Sequence, residues 1–132
     1  MFRAMGYKDE SLLARLEPLA ERYFQDAFRA QTFRGWMAVD PGGTIVGGGG
    51  IADLLLPPGP YAPTPTRPEI INVYVEPAYR CQGIARRLME VMIDWCRARG
   101  YASVFLHSSD DGRPLYASMG FEPTPEMNLP LK

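Results

Sequence analysis

The segment Arg80-Cys81-Gln82-Gly83-Ile84-Ala85 is the part of the sequence best suited to bind an anion. It follows a β-rich run and begins an amphipathic helical pattern. The first NH groups of a helix lack intrahelical partners and lie at the positive end of its dipole, and Gly83 has no Cβ to keep a phosphate away from them. The segment therefore predicts a pyrophosphate site. Positive charge beside it would come from Arg80, Arg86 and Arg87, although each arginine alone has an equally good interpretation as part of a solvated helix face.

Helical patterns flank this segment on both sides. Apolar residues at three- and four-residue steps predict a helix over about 10 to 30, within which Pro18 opens a second segment, and another over 83 to 99 that Gly100 closes. A short helix is expected over 115 to 119. The predicted apolar stripes are Leu12, Leu13, Leu16, Leu19, Tyr23, Ala27 and Phe28 in the first helix, and Ile84, Leu88, Val91, Met92 and Trp95 in the second.

Strand patterns supply the rest of the fold. Turn residues Asp-Pro-Gly-Gly join the runs 36 to 40 and 44 to 46 into a predicted hairpin, and the run of glycines after it predicts close packing of neighbouring backbones. The proline-rich stretch 57 to 68 predicts a polyproline-like surface loop. Further strands are expected over 70 to 76, over 102 to 106, and after Gly120, while residues 1 to 6 resemble only the last turn of a helix.

Composition limits the protein to a few classes. The 132 residues are 46% apolar and 22% charged, which predicts one globular domain over residues 1 to 132. The net charge of −1 gives no general attraction to nucleic acid or to an anionic membrane, so neither is an expected partner. Cys81, Cys96 and His107 fall short of a structural zinc set, and no metal site is predicted. With no signal peptide and no apolar run long enough to cross a bilayer, we expect a soluble cytoplasmic protein with reduced thiols.

Two motifs together resemble those of a known family. Residues 80 to 85, preceded by a strand and the step Val75-Glu76-Pro77, resemble the acetyl-CoA signature of the GNAT superfamily of N-acetyltransferases, R or Q-x-x-G-x-G or A. Further along the chain, Leu115-Tyr116-Ala117-Ser118-Met119-Gly120-Phe121 resembles the family element L-Y-x-x-x-G-F. The resemblance covers roughly residues 9 to 132. It implies a single α/β domain with a mixed, mostly antiparallel central sheet flanked by helices, here without the family's first edge strand.

The resemblance also implies an activity, the transfer of an acetyl group from acetyl-CoA to a primary amine of a small molecule or a protein. In this family the signature strand diverges from its neighbour, so its free backbone groups bind pantetheine and polarise the acetyl carbonyl. Tyr116 matches the tyrosine that protonates the leaving thiolate, and the alternative is a tyrosine that only packs in the core. The residues assigned to the coenzyme are Val73, Tyr74, Val75, Arg80, Cys81, Gln82, Gly83, Ile84, Ala85 and Arg86.

Two residues are candidates for the general base. Glu69 lies four residues before Val73, on the same face of the strand, where several GNAT members carry a Glu or a His. Its alternative interpretation is a solvated carboxylate at the start of the strand. His107 ends the neighbouring strand and titrates in the right range, although a lone histidine is more often structural. The choice between the two stays open at this point.

Two further questions concern the activity and the edge of the sheet. A catalytically weak module that binds or senses acyl-CoA on the same scaffold is the alternative to an enzyme, and Tyr116 argues against it. A Rossmann-type dinucleotide site is excluded because G-x-G-x-x-G is absent. The missing first strand would leave the strand over 36 to 40 with an open edge, which predicts a homodimer. The alternative is a natural chain that begins upstream of Met1.

Overall fold

The computed structural model describes residues 7–60 and 62–131, in which a four-stranded sheet lies between helices. The strand order is β1-β2-β3-β4, and only β4 runs parallel to its neighbour. The predicted mixed, mostly antiparallel sheet is therefore confirmed, and within the described ranges no strand precedes the first helix. The predicted helix end at residues 1 to 6 lies outside the described residues. The elements are α1 (Glu10–Ala30), β1 (Phe33–Val39), β2 (Ile45–Leu55), β3 (Thr66–Val75), α2 (Ile84–Ala98), β4 (Phe105–Leu106) and α3 (Arg113–Ser118).

The first helix is one continuous element of 21 residues. Asp9 caps it, because its Oδ1 accepts a hydrogen bond from the amide of Leu12 at 3.0 Å. The prediction that Pro18 opens a second segment is wrong, since Pro18 lies inside the helix. A proline removes one intrahelical hydrogen bond, and buried residues on both sides of it, Leu13 and Ala27, hold the two halves against the rest of the domain.

The predicted apolar stripe of α1 is only partly correct. Leu13 and Ala27 are buried, whereas Leu19, Tyr23 and Phe28 are 65%, 46% and 56% exposed. The helix turns a narrower face inward than the sequence indicates. The buried and half-buried positions of the helix are Leu12, Leu13, Leu16, Ala20, Phe24 and Ala27.

The helices α1 and α2 pack on opposite faces of the sheet. The ring of Phe33 on β1 contacts Phe24 of α1 with centroids 4.9 Å apart, whereas Trp36 contacts Trp95 of α2 at 5.8 Å. Phe33 and Trp36 are three residues apart in a strand, so their side chains lie on different faces. The core between the sheet and α2 is built on Ile51, Ile70, Val75, Leu88, Met89, Met92 and Cys96.

The glycine run 47 to 50 allows two layers to approach β2 closely, as the sequence predicts. A Cβ on Gly49 would lie 3.0 Å from Met92 Cε of α2, and one on Gly50 would clash with the ring of Phe33. The same run sits between β1 and β3 in the sheet. It therefore has a packing role and is no phosphate loop.

Three strand predictions need correction. The loop predicted over 57 to 68 ends earlier, because β3 begins at Thr66 and Pro68 is a buried residue of this strand. The pairing of β3 with β4 begins only at Glu69, so β4 does not pair with Pro68, which has no NH group to donate. The strand predicted over 102 to 106 is reduced to Phe105–Leu106. The strand predicted after Gly120 is absent from residues 121–131, in which three prolines lack the NH group that a ladder needs.

The second helix packs more of its length than its predicted stripe includes. Leu88 and Met92 are buried as expected, but Met89 and Cys96 are buried as well and Val91 is only half-buried. Burial raises the pKa of the Cys96 thiol to about 11. Cys96 is therefore an inert packing residue rather than a reactive thiol.

Candidate functional site

The turn before α2 leaves the start of this helix open. A single turn of 3-10 helix, Pro77–Tyr79, leads into it, and Cys81 and Gly83 have left-handed φ angles of 62° and 82°. No side chain of the described residues caps α2. Its first amides therefore remain available to an anion. Among the predicted coenzyme contacts, Cys81, Gln82 and Gly83 are exposed and Ile84 and Ala85 are half-buried.

The three arginines near this turn have separate partners. Arg80 Nε donates to the carbonyl of Val75 at 2.8 Å, and its guanidinium lies over the ring of Tyr74. Arg86 donates to Ser118 Oγ at 2.7 Å, and Arg87 lies 3.6 Å from Glu90. The predicted cluster of positive charge is therefore divided. Only Arg80 is held against the end of β3 beside the turn.

The strands β3 and β4 pair over two residues and then part. Glu69 pairs with Phe105 and Ile70 with Leu106, whereas β3 remains paired with β2 as far as Val75, opposite Gly47. The side of β3 that faces β4 therefore has no strand partner over 71 to 75 in the described part of the chain. This divergence is the one that the family resemblance implies, and the backbone groups of β3 that face β4 have no strand partner over this stretch. The carbonyl of Val75 accepts the hydrogen bond from Arg80 Nε instead.

A β-bulge lies in β3 within the divergent region. Asn72 has a φ of 60°, and Asn72 and Val73 together lie opposite Gly49. Ile70 and Val73 consequently both pack in the α2 core, although they are three residues apart. Glu69 lies on the other face, so the prediction that it shares a face with Val73 is wrong. The signal in the sequence was Asn72 itself, because asparagine tolerates this backbone conformation better than most residues.

The two predicted bases, Glu69 and His107, form a hydrogen-bonded pair. Oε1 of Glu69 lies 2.6 Å from Nδ1 of His107, and the Glu69 side chain is buried while that of His107 is 67% exposed. Hydrogen bonds to Glu126 and Glu69 raise the pKa of His107, and partial burial opposes this rise. The pair therefore has a buried carboxylate at one end and an accessible imidazole at the other.

Two partners of this pair were missed in the sequence. Arg67 Nη2 lies 3.7 Å from Oε2 of Glu69, and Glu126 Oε1 lies 3.3 Å from Nε2 of His107. Arg67 could have been found, because it lies two residues before Glu69 on the same strand. Glu126 follows the last helix in a segment with no periodicity, and nothing in the sequence predicts its position.

Tyr116 is half-buried on α3. Its ring meets Phe121 edge to face, with centroids 6.0 Å apart, and lies so close to Gly112 that a Cβ there would be 2.8 Å from Cε2. Burial raises the pKa of Tyr116, so the phenol keeps its proton at neutral pH. Its hydroxyl makes no hydrogen bond to the described residues, and the packing and proton-donor interpretations of this tyrosine are compatible.

Ser109 has a structural task in the loop before α3. Its Oγ accepts a hydrogen bond from the amide of Gly112 at 3.1 Å, and its carbonyl accepts one from the amide of Arg113 at 3.1 Å. These bonds fix the entry into the helix that carries Tyr116.

Other features of the molecule lie apart from these residues. A cavity of about 390 Å³ lies beside the C-terminal end of α2, and none of the predicted site residues lines it. Residues 7–60 and 62–131 hold no group of three or more His, Cys, Asp or Glu side chains suited to a metal ion. In the same ranges, no helix combines the length and apolarity that crossing a bilayer requires.

Comparisons with known proteins agree on one family. The model of the acetyltransferase (GNAT) family matches residues 6–121. Over 82 residues the chain is 35% identical to the N-alpha-acetyltransferase RimI of Mycobacterium tuberculosis, an alignment that covers 61% of the chain and 48% of the relative. The chain thus spans about half the length of this curated relative.

Solved structures give a longer match. A GCN5-related N-acetyltransferase from Ralstonia eutropha is 34% identical, with a TM-score of 0.88 over 99% of this chain and 85% of that one. An acetyltransferase from Clostridium acetobutylicum, solved with acetyl-CoA, is 30% identical with a TM-score of 0.76, over 83% of this chain and 71% of that one.

Proposed function

Because the chain belongs to the acetyltransferase (GNAT) family, we propose that it transfers an acetyl group from acetyl-CoA to a primary amine of a small molecule or a protein. The observation that carries this proposal is the gap that opens between β3 and β4 beside the uncapped start of α2. The Clostridium acetobutylicum structure contains acetyl-CoA, and the RimI relative acts on N-terminal amines by its name. Peptide N-termini are therefore the first acceptors to test.

The residues around the gap suit the coenzyme. The amides from Gln82 to Ala85 would hold its pyrophosphate, since no side chain in the described residues occupies this helix start and a Cβ on Gly83 would meet nothing within 4 Å. The backbone groups of residues 73 to 75 that face the gap, apart from the Val75 carbonyl bonded to Arg80, would hold pantetheine and polarise the acetyl carbonyl. Acetyl-CoA supplies the activated acetyl thioester when bound. Its use also favours a cytoplasmic location, since acetyl-CoA is an intracellular metabolite.

The pair of Glu69 and His107 is the proposed base. Glu69 is too buried to reach an acceptor, so His107 takes the proton at Nε2 while Glu69 holds Nδ1–H. When His107 is neutral, its Nε2 and Glu126 both offer only lone pairs and cannot bond to one another. The exposed Glu126 side chain then moves aside, and Nε2 faces the amine.

Tyr116 is the proposed acid. It belongs to the cluster on the α2 face of the sheet, whereas Glu69 lies on the other face. Acid and base would therefore approach the gap between β3 and β4 from opposite sides. The phenol donates its proton to the departing sulfur, and its raised pKa keeps that proton in place beforehand.

A thiol-release assay with acetyl-CoA tests this function. Acceptors would include peptides with free N-termini, lysine-containing peptides with blocked N-termini, and small primary amines. Calorimetry with coenzyme A runs in parallel. Thiol release that depends on an acceptor supports the enzyme. Coenzyme binding without thiol release on any acceptor identifies the alternative, a module that binds or senses acyl-CoA.

We also propose that two copies associate through β1. No strand pairs with its outer edge in the described residues, and Met37 and Val39 on it are 69% and 54% exposed. An open edge with apolar side chains favours pairing with another strand. A second copy supplies the same edge by symmetry, as an isologous interface requires.

A further inference from the structure

A chain of two hydrogen bonds joins the first turn of α2 to α3. Nη2 of Arg86 donates to Oγ of Ser118 at 2.7 Å, and this hydroxyl donates to the carbonyl of Leu115 at 2.6 Å. Leu115 is the residue before Tyr116, and Arg86 is three residues beyond Gly83. The connection therefore runs from the proposed pyrophosphate turn to the backbone that carries the proposed acid.

The helix α3 depends on such contacts for its position. It has six residues, too few for a helix to be stable alone. The Tyr116 ring contacts Phe121 and Gly112, which come from the chain directly around α3, and it packs against the apolar core beside α2. These apolar contacts do not fix the direction of α3, whereas the Arg86 bond is a directional hydrogen bond from a different element. It ties α3 to a long helix whose other side is packed in the core.

We propose that Arg86 is a positioning residue for Tyr116 and not a ligand of the coenzyme phosphates. This inference rests on the proposed function. Arg86 fixes Ser118, Ser118 fixes the last turn of α3, and the Tyr116 hydroxyl is thereby held at the place where the thiolate leaves. Binding of the pyrophosphate to the start of α2 and placement of the acid then belong to one connected unit.

Kinetics of two variants separate the two roles. Arg86→Gln and Ser118→Ala each lower kcat by about five- to tenfold, the effect expected for one charge-assisted hydrogen bond, with the Kd for coenzyme A changed less than about twofold. The double variant is no slower than the slower single variant. Arg97→Gln is the matched control, because Arg97 pairs with Asp94 at the far end of the same helix and should leave both constants unchanged. A phosphate ligand would instead show a raised Kd in Arg86→Gln alone.

The same change in a Tyr116→Phe background shows whether Arg86 acts through the tyrosine. There Arg86→Gln should cause no further loss of kcat, since the hydroxyl that it positions is gone. A further loss of fivefold or more would overturn the inference. Ser118→Thr keeps a hydroxyl and should retain most of the parental kcat, which excludes a general defect in folding as the cause.

A measurement without turnover distinguishes failure of this inference from failure of the proposed function. Burial raises the pKa of Tyr116, so loosening α3 should lower that pKa toward 10 in Arg86→Gln and Ser118→Ala, and not in Arg97→Gln. NMR titration of the assigned Tyr116 ring gives this value. If the parent releases no thiol, the proposed function fails while the titration still tests the positioning. An unchanged Tyr116 pKa in both variants would refute the positioning.

Discussion

Glu69 and His107 are 38 residues apart in the chain, and their side chains lie 2.6 Å apart in the fold. The short parallel ladder of β3 with β4 produces this contact, because it pairs Glu69 with Phe105 and brings the end of β4 alongside. Two residues that competed for one role in the sequence thus act as a single unit. The carboxylate is buried, and the imidazole is 67% exposed.

The pH dependence of kcat/KM should report this pair. If His107 is the base, it must be neutral, so kcat/KM rises with pH through the pKa of His107, which the pair raises above 6.5. His107→Gln should remove this limb. Glu126→Gln and Glu69→Gln should each move it to lower pH, since each removes a carboxylate that favours the charged imidazole. Using the same acceptor amine in every assay makes its own ionisation contribute equally to all profiles. If the rise of kcat/KM with pH is unchanged in His107→Gln, His107 is not the base.

The same pair predicts how stability varies with pH. A raised folded pKa means that the native state binds the His107 proton more tightly than the unfolded chain does. The stabilisation is fully present below about pH 6.5 and is lost as the pH rises through the folded pKa of His107. Urea unfolding across this range should show the decline in the parent and not in His107→Gln. The chain has one histidine, so its NMR titration needs no assignment.

The sequence predicts which helices and strands form better than it predicts their irregularities and the contacts of irregular segments. Helix periodicity and the Asp-Pro-Gly-Gly turn are local signals, so α1, α2 and the hairpin lie where expected. The bulge at Asn72 was not predicted, because one residue in a left-handed conformation leaves no trace in the apolar pattern. Its effect was large, since it places Glu69 and Val73 on opposite faces of the sheet. The contact of Glu126 with His107 depends on the path of an irregular segment, which no residue pattern encodes.

Placement of the pyrophosphate is tested by replacing Gly83. Its φ is 82°, and Gly100 at the other end of α2 has a φ of 77° with equally open surroundings, so the two sites are matched. Gly83→Glu and Gly100→Glu should each cost about 1 to 2 kcal/mol of stability from backbone strain. Only Gly83→Glu adds a negative charge at the proposed anion site. Calorimetry should therefore show loss of coenzyme A binding in Gly83→Glu alone, and equal affinities in both variants would refute the placement.

Removal of the Tyr116 hydroxyl tests the acid. Tyr116→Phe should lower kcat by about 100-fold, the lower end of the range for general acid catalysis, with little change in coenzyme affinity. Tyr101→Phe is the control, because its hydroxyl donates to Asp53 at 2.7 Å, away from the gap. That variant should lose stability and keep its turnover. Parental kcat in Tyr116→Phe would show that Tyr116 serves packing alone.

Self-association through β1 is tested by charging its exposed side chains. Met37→Lys and Val39→Lys place ammonium groups on a strand edge, where burial against a second copy would strip them of water. Light scattering over a dilution series should show a dimer for the parent at micromolar concentration and a monomer for the double variant. Leu131→Lys, at an 88% exposed position on the C-terminal segment, should leave the dimer intact.

The double variant Met37→Lys, Val39→Lys also has an expected effect on the stability of the domain and on turnover. Met37 and Val39 are largely exposed in a single copy, so their replacement costs the isolated domain little. Both lie on β1, which β2 and β3 separate from β4 in the sheet, so thiol release per subunit should be unchanged unless the dimer supports the site. A parent that is already a monodisperse monomer at micromolar concentration would contradict the proposed interface. Its β1 edge would then be protected by strand twist or by charge rather than by pairing.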